Sequence, residues 1–204
     1  MEHGMSTVES KILDRIKNAG RGWCFTPEHF KDLGSSESIR KALSQLARNN
    51  IIKRLTFGIY EYPRQHKKLG ELPPNIDRVI TAITERDKIS VQPSGAYAAN
   101  LLGLSEQVPV KIVLLTNGRS KIFHIGNTEI KFKRTTPKNM LAADRITGLL
   151  IQACKFIGKE NFNEQMMLKV KKKLTQDEKE QLKTDIDLPP VWISQLIKQH
   201  ILSE

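Results

Sequence analysis

Residues 35–62 have the sequence SSESIRKALSQLARNNIIKRLTFGIYEY, and this stretch decides the fold of the first part of the chain. Apolar residues recur in it at the spacing that lines one face of an α-helix, and a serine pair can cap the first turn. These residues are Ile39, Ala42, Leu43 and Leu46, preceded by Ser35 and Ser36. The pattern predicts a helix with one face committed to a core. The rest of its surface carries hydrogen-bonding and mostly cationic side chains: Ser36, Arg40, Lys41, Ser44, Gln45 and Arg48.

A small basic hairpin is predicted directly after this helix. Residues 51–55 suit a strand, residues 56–58 a turn, and residues 59–62 a returning strand that Pro63 closes. Upstream, an apolar stripe over residues 8–16 predicts a first helix, and a Thr-Pro-Glu start predicts a second helix over residues 26–33. Three helices followed by a hairpin predict a winged helix-turn-helix over residues 1–62.

A polar, cationic helix face of this size can enter the major groove of DNA and read base edges. We expect Arg40, Lys41 and Ser44 to make groove contacts, and Lys53 and Arg54 in the hairpin to contact phosphates. Two alternatives stay open, because such a face can also be merely solvated, and winged domains can also bind protein partners. The hairpin aromatics are expected to pack in the core or the wing rather than to stack on bases: Phe57, Tyr60 and Tyr62.

Composition points to a polyanionic partner without fixing the fold. The net charge of +11 and the sequence pI near 9.7 favour association with nucleic acid. Two cysteines in no metal-like spacing indicate free thiols in a reducing compartment, and no apolar run is long enough to span a membrane. We therefore expect a cytoplasmic protein. Met1 and Met5 are both candidate start residues.

Proline, glycine and basic residues without apolar periodicity predict a linker over residues 63–75. A mixed domain is expected over residues 76–204, with a sheet-containing part at 76–140 and a helical part at 141–204. Strand signals at 108–115, 121–125 and 128–134, separated by Asn-Gly and Gly-Asn turns, predict a three-stranded antiparallel meander. The fold class is therefore α+β: a winged helix-turn-helix, a small antiparallel sheet and a helical C-terminal region.

The sequence holds little that could support catalysis. Its five histidines are scattered and form no paired metal-ligand motif. Ser94 lacks the Gly-x-Ser-x-Gly context of a nucleophile and suits helix capping better, and phosphate-cradling glycine loops are missing. We predict no enzymatic activity, no cofactor and no metal site.

Several ordered segments resemble one bacterial family, the abortive-infection type IV antitoxins. They are Gly22-Trp23-Cys24-Phe25-Thr26-Pro27, Pro93-Ser94-Gly95-Ala96, Ala99-Asn100, Leu102-Gly103-Leu104-Ser105, Gln107-Val108-Pro109, Leu115-Thr116-Asn117-Gly118, Ile125-Gly126 and Ile130-Lys131-Phe132. The resemblance covers roughly residues 6–200. It implies a winged N-terminal domain that binds an inverted-repeat operator in double-stranded DNA and represses its own operon. It also implies a C-terminal domain that counteracts a nucleotidyltransferase-like toxin, with or without direct contact.

The resemblance does not say which residues act against the toxin. The small-residue helix at 93–104 and the polar loop after it suggest one candidate surface, and packing is the competing explanation for the same residues. Basic residues of the last strand extend this candidate surface. Its members are Ser94, Tyr97, Asn100, Ser105, Gln107, Lys131 and Lys133. The open alternative for the whole chain is a protein-interaction module that uses the winged domain to bind a partner rather than DNA.

Overall fold

The computed structural model describes residues 7–107 and 109–203, and it has an α+β fold. The chain forms two compact units, Met1–Lys88 and Ile89–Glu204. The two candidate start residues Met1 and Met5 lie outside the described residues.

The first unit alternates short helices with short strands. Its elements are α1 (Thr7–Ala19), β1 (Cys24–Phe25), a 3-10 helix (Pro27–Phe30), α2 (Ser36–Arg48), β2 (Lys53–Thr56), β3 (Ile59–Glu61), β4 (Gln65–His66), β5 (Gly70–Glu71) and α3 (Ile76–Asp87). β1, β3 and β2 form an antiparallel sheet in that order, and β4 pairs with β5. Helix α2 therefore runs into the β2–β3 hairpin, as the sequence predicts.

The core of the first unit lies between α1, α2 and the sheet. Ile12, Ile16 and Leu43 are fully buried in it. The ring of Phe25 contacts that of Phe30 edge-on, with centroids 5.5 Å apart, and stacks with Tyr60 at 6.0 Å. Aromatic pairs at such distances add to the stabilisation that burial provides. Tyr60 is thus a core residue, as predicted.

The predicted second helix is shorter than expected. We predicted a helix over residues 26–33, whereas the structure has a single turn of 3-10 helix at Pro27–Phe30. Its cap is a Thr26 and His29 pair, in which Thr26 N donates to His29 Nδ1 at 3.2 Å. The turn ends where Phe30 enters the aromatic cluster, and Leu33 N then donates to the Phe30 carbonyl at 2.8 Å.

Residues 63–75, predicted as a linker, contain the β4–β5 hairpin, and the division between the units falls after Lys88 instead. Arg64 Nη2 donates to the Pro73 carbonyl at 2.8 Å and so holds the two ends of this segment together. Helix α3 contacts β1 and β3, and its apolar face is buried. An apolar face needs a partner to cover it, which explains why α3 belongs to the first unit.

The second unit contains one sheet and six helices in the part of the chain that the structure describes. Its elements are β6 (Val91–Ser94), α4 (Gly95–Leu101), β7 (Lys111–Thr116), β8 (Lys121–Ile125), β9 (Thr128–Arg134), α5 (Pro137–Met140), α6 (Ile146–Ile157), α7 (Glu164–Lys173), α8 (Gln176–Thr184) and α9 (Val191–His200). The strand order is β6-β7-β9-β8.

The predicted antiparallel meander is wrong in its strand pairing. β7 pairs parallel with β9, which separates it from β8. The Asn117-Gly118 pair does not close a two-residue hairpin; Asn117 Oδ1 instead accepts a hydrogen bond from Ser90 N at 3.0 Å. Thr116 Oγ1 also donates to the Ser90 carbonyl at 2.8 Å, so the end of β7 is tied to the segment that leads into β6.

The second predicted turn is confirmed. β8 and β9 pair antiparallel, with Ile125 opposite Thr128 across a two-residue loop. Gly126 has a φ of 56° in this loop, a conformation that glycine adopts without strain.

Helices α4 and α6 to α9 share one apolar core. Leu150, Met167, Leu182 and Ile193 are fully buried in it. A buried carboxylate, Asp185, accepts hydrogen bonds from Arg145 Nη1 at 2.8 Å and from Thr147 Oγ1 at 2.9 Å. Because both of its oxygens have partners, this carboxylate can remain buried between α6 and α8. Helices α6 to α9 lie within the range that was predicted to be helical.

Candidate nucleic-acid interface

Helix α2 begins at a capped serine and buries one of its faces. Ser35 Oγ accepts a hydrogen bond from Ser38 N at 3.2 Å, which satisfies one of the free N–H groups of the first turn. Ile39, Leu43 and Leu46 on the inner face are buried. Most side chains of this helix that were predicted to contact DNA are exposed, namely Ser36, Arg40, Lys41, Ser44 and Arg48. Gln45 is half-buried.

A cleft of about 690 Å³ lies beside α2 within the first unit. The 3-10 helix, α2, the β2–β3 hairpin and the end of α3 supply its walls. Its lining residues are Thr26, Pro27, Glu28, Lys31, Ser36, Ile39, Arg40, Ser44, Ala47, Arg48, Arg54, Phe57, Gly58, Tyr60 and Arg86. Five of the predicted contact residues line the cleft: Ser36, Arg40, Ser44, Arg48 and Arg54.

The side chains around the cleft give it a strong positive charge. Five of the lining residues are cationic, namely Lys31, Arg40, Arg48, Arg54 and Arg86, whereas Glu28 alone among them is acidic. Concave surfaces lined by charges of one sign concentrate ions of the opposite sign. The cleft therefore suits a polyanion, and its guanidinium groups suit phosphate oxygens in particular.

Several cations of the cleft are held in place. Arg40 Nε donates to the Ser36 carbonyl at 3.0 Å, which leaves the outer nitrogens of this guanidinium for a ligand. The guanidinium of Arg54 lies 5.5 Å from the centroid of the Phe57 ring. Arg86 Nε donates to Asp87 Oδ1 at 2.8 Å, and Arg86 Nη1 donates to the Phe57 carbonyl. Such fixed donors lose less conformational entropy when a ligand binds.

The remaining predicted contact residues lie outside the cleft. Lys41 and Gln45 belong to α2 but are not among the lining residues. Lys53 forms an ion pair with Glu71 on β5, with Nζ and Oε1 2.6 Å apart. Neighbouring residues of a strand point to opposite faces, so Arg54 faces the cleft while Lys53 faces the β4–β5 hairpin.

Sequence reasoning missed three residues of this site. Lys31 follows the 3-10 helix in a turn. Arg86 lies on α3, which was predicted to belong to the second domain but lies in the first unit. Phe57 was expected to pack, but its side chain is 82% exposed. The turn signal of Phe57-Gly58 could have indicated this exposure, because the central residues of a tight hairpin turn project from the sheet.

Some residues of the candidate antitoxin surface are not exposed. Tyr97 is only 7% exposed, so its assignment to a surface is wrong. Helix α4 contacts α6 extensively, and Ala98 and Ala99 are buried in the core that the two helices share. Ser94 Oγ donates to Gln152 Oε1 at 3.3 Å, which joins β6 to α6.

The polar loop after α4 is held by one side chain. Asn100 Nδ2 donates to the carbonyls of Ser105 and Gln107, both at 3.1 Å, and Gln107 N donates to Ser105 Oγ at 3.3 Å. These bonds give Asn100 and Ser105 a structural role. Lys131 and Lys133 are exposed on one face of β9 and stay accessible to a partner.

The thiols of Cys24 and Cys154 are buried and have low reactivity. Burial raises the pKa of Cys24 and that of Cys154 to about 12. A thiol with such a pKa stays protonated near neutral pH and is a poor nucleophile and metal ligand. Among residues 7–107 and 109–203, histidines, cysteines and carboxylates form no cluster of three that could hold a metal ion. In the same residues, no helix combines the length and apolar character needed to cross a membrane.

Comparisons with known proteins match nearly the whole chain but give no function. Residues 11–182 match the model of a family of unknown function, DUF6088. The crystal structure of RV2827C protein from Mycobacterium tuberculosis is similar over 95% of this chain and 82% of that chain, with 12% identity and a TM-score of 0.47. Curated proteins gave no match.

Proposed function

Since this chain belongs to the family of unknown function DUF6088, we propose a function from its own geometry: it is a sequence-specific double-stranded DNA-binding protein. In this proposal α1, the 3-10 helix and α2 form a helix-turn-helix in which α2 is the recognition helix. The β2–β3 hairpin is its wing. One observation carries the proposal, namely the exposed cationic side of α2 that adjoins a cleft lined by Arg40, Arg48 and Arg54.

The geometry supports a duplex better than a small anion. Exposed polar side chains extend along α2 from Ser36 to Arg48. At 1.5 Å per residue these positions span roughly 18 Å, several times the size of one phosphate group. An α-helix fits the major groove of B-form DNA, where serine and arginine side chains can read base edges. Arg54 in the hairpin is then placed for the phosphate backbone beside that groove.

The operator and the toxin form the second part of the proposal. The antitoxin resemblance supports a repressor that binds an inverted repeat upstream of its own operon and counteracts a nucleotidyltransferase-like toxin. The DNA-binding role belongs to the first unit, and the antitoxin role to the second. Lys131 and Lys133 are the members of the candidate antitoxin surface that are exposed and basic, so we assign them to it ahead of the buried Tyr97.

DNA binding is tested by fluorescence anisotropy with labelled duplexes. The duplex covers the region upstream of the gene itself, and the control is a shuffled duplex of the same composition. The proposal expects the upstream duplex to bind at least about 10³-fold more tightly, because specific sites exceed non-specific ones by this factor or more. Equal affinities for the two duplexes would contradict sequence-specific binding.

The division of roles is tested in cells that carry the toxin. Replacing Arg40, Arg48 and Arg54 by glutamine in the full chain removes cations from α2 and the hairpin and leaves the second unit unchanged. We expect this variant to lose operator repression and to keep its rescue of growth. Loss of rescue in a variant that is still folded would contradict the assignment of the antitoxin role to the second unit. The matched control is Lys53→Gln, which should keep both properties.

A further inference from the structure

The tip of the β2–β3 hairpin carries an aromatic ring that the core does not bury. The side chain of Phe57 is 82% exposed, more than any other large apolar side chain in the described part of the chain. Single exposed apolar residues are common on protein surfaces. What distinguishes Phe57 is how its backbone is held and which charges surround its ring.

The backbone at this tip is fixed from two sides. Arg86, on α3, donates a hydrogen bond to the Phe57 carbonyl. Gly58 has a φ of 69°, a conformation that suits glycine in a tight turn. The register of the hairpin shifts between Arg54 and Thr56, and such irregularities re-aim the side chains next to them. The Phe57 ring therefore projects from an anchored turn.

The surroundings of the ring identify its partner. The guanidinium of Arg54 lies 5.5 Å from the ring centroid, and the same cleft contains Lys31 and Arg48. An apolar protein surface would have to desolvate these cations without pairing them, which is unfavourable. Duplex DNA offers phosphates to the cations, and between its base pairs it offers flat apolar faces to the ring. Charge complementarity thus favours DNA over a protein.

We infer that Phe57 is a wedge that enters the minor groove of bound DNA, partly unstacks one base step and bends the duplex. This inference rests on the proposed binding of double-stranded DNA and adds a deformation of the DNA to it. Arg54, beside the ring, stays on the phosphates at the edge of the groove. Apolar wedges of this kind bend DNA by about 20–90°. Flexible pyrimidine–purine steps are the preferred sites, because they unstack most easily.

The test uses the full-length protein and the upstream duplex, labelled at its two ends for energy transfer. A second copy of the duplex carries 2-aminopurine, whose fluorescence rises when its base step unstacks. Three variants are compared with the unaltered protein: Phe57→Ala, Phe57→Leu and Leu69→Ala. Leu69 is the matched control, because it lies in the turn of the other hairpin and is 74% exposed.

The inference expects the unaltered protein and Leu69→Ala to shorten the end-to-end distance and to raise the 2-aminopurine signal. Phe57→Leu should keep much of both effects, because leucine is still an apolar wedge. Phe57→Ala should lose most of the bend and of the signal while the salt dependence of binding stays unchanged, because no phosphate contact is removed. Unchanged unfolding of Phe57→Ala by denaturant shows that the hairpin remains folded.

Two results would overturn the inference about Phe57 and leave the proposed DNA binding intact. One is an unbent duplex bound by the unaltered protein, and the other is a bend that Phe57→Ala retains. A change in oligomeric state on Phe57→Ala, with the bend intact, identifies the ring as a protein contact and overturns the inference as well. Failure of the unaltered protein to bind the upstream duplex at all is a different result, because it overturns the proposed function together with the inference.

Discussion

Removing the arginines of the cleft should weaken DNA binding in a way that depends on salt. Arg40, Arg48 and Arg54 line the cleft on α2 and β2. In the proposed complex each of them would neutralise one phosphate. Each such contact releases bound counterions and contributes about −0.9 to the slope of log affinity against log salt concentration. The triple replacement by glutamine should therefore make the slope less steep by about 2.7.

The same arithmetic gives the change in affinity. Three contacts account for a factor of about 40 in the loss of affinity between about 50 and 200 mM salt. The unaltered protein should lose that much more affinity over this range than the triple variant. Fluorescence anisotropy with the upstream duplex at four or more salt concentrations measures both slopes. Since all three side chains are exposed, we expect the stability of the variant to change by no more than about 0.5 kcal/mol.

Lys53→Gln is the matched control in this experiment. Lys53 neighbours Arg54 in β2, but its Nζ is paired with Glu71 and lies on the opposite face of the hairpin. Its replacement should leave the slope unchanged. The reasoning is refuted if the triple variant binds with the same slope as the unaltered protein, or if Lys53→Gln changes the slope as much as Arg54→Gln does.

Three predictions concern the stability of the fold. Leu43→Ala should destabilise the first unit by about 2–5 kcal/mol in denaturant unfolding, because Leu43 is fully buried and alanine leaves a cavity. A loss below 1 kcal/mol would contradict the placement of this residue in the core. Burial raises the pKa of Glu61, whose oxygens have no hydrogen-bond partner among the described residues. The folded state then binds the proton more tightly than the unfolded state, so the free energy of unfolding should fall as pH rises above about 4.3. Glu61→Gln should lessen this fall. Equal pH profiles of stability for the variant and the unaltered protein would contradict this role of Glu61. Thr175→Ala should cost about 1 kcal/mol, because it removes the capping box with Glu178 at the start of α8, and thermal unfolding would detect the loss.

Local sequence signals predicted the local structure well. The spacing of apolar residues and Ser35 located α2. The turn at Phe57-Gly58 and the loop at Gly126-Asn127 were also located correctly. Each of these features depends on residues within a few positions of one another, so the local sequence is enough to predict it.

Features that depend on distant residues were not predictable in this way. β7 pairs with β9 although β8 lies between them in the chain, and hydrogen bonds tie Thr116 and Asn117 to Ser90, about 26 residues earlier. Arg86 reaches the cleft because α3 contacts β1 and β3, and no periodicity in the sequence indicates which sheet covers a helix face. The α+β class was therefore accessible from the sequence, but the set of residues that line the cleft depended on the tertiary structure.

The central claim is that the exposed side of α2 and the tip of the β2–β3 hairpin contact a DNA duplex. The most direct measurement is a map of backbone amide chemical shifts as the 23.2 kDa protein is titrated with the upstream duplex. The account predicts that the largest changes fall on α2, from Ser36 to Arg48, and on residues 54–58 of the hairpin. Changes confined to the second unit, with α2 and the hairpin unaffected, would contradict it.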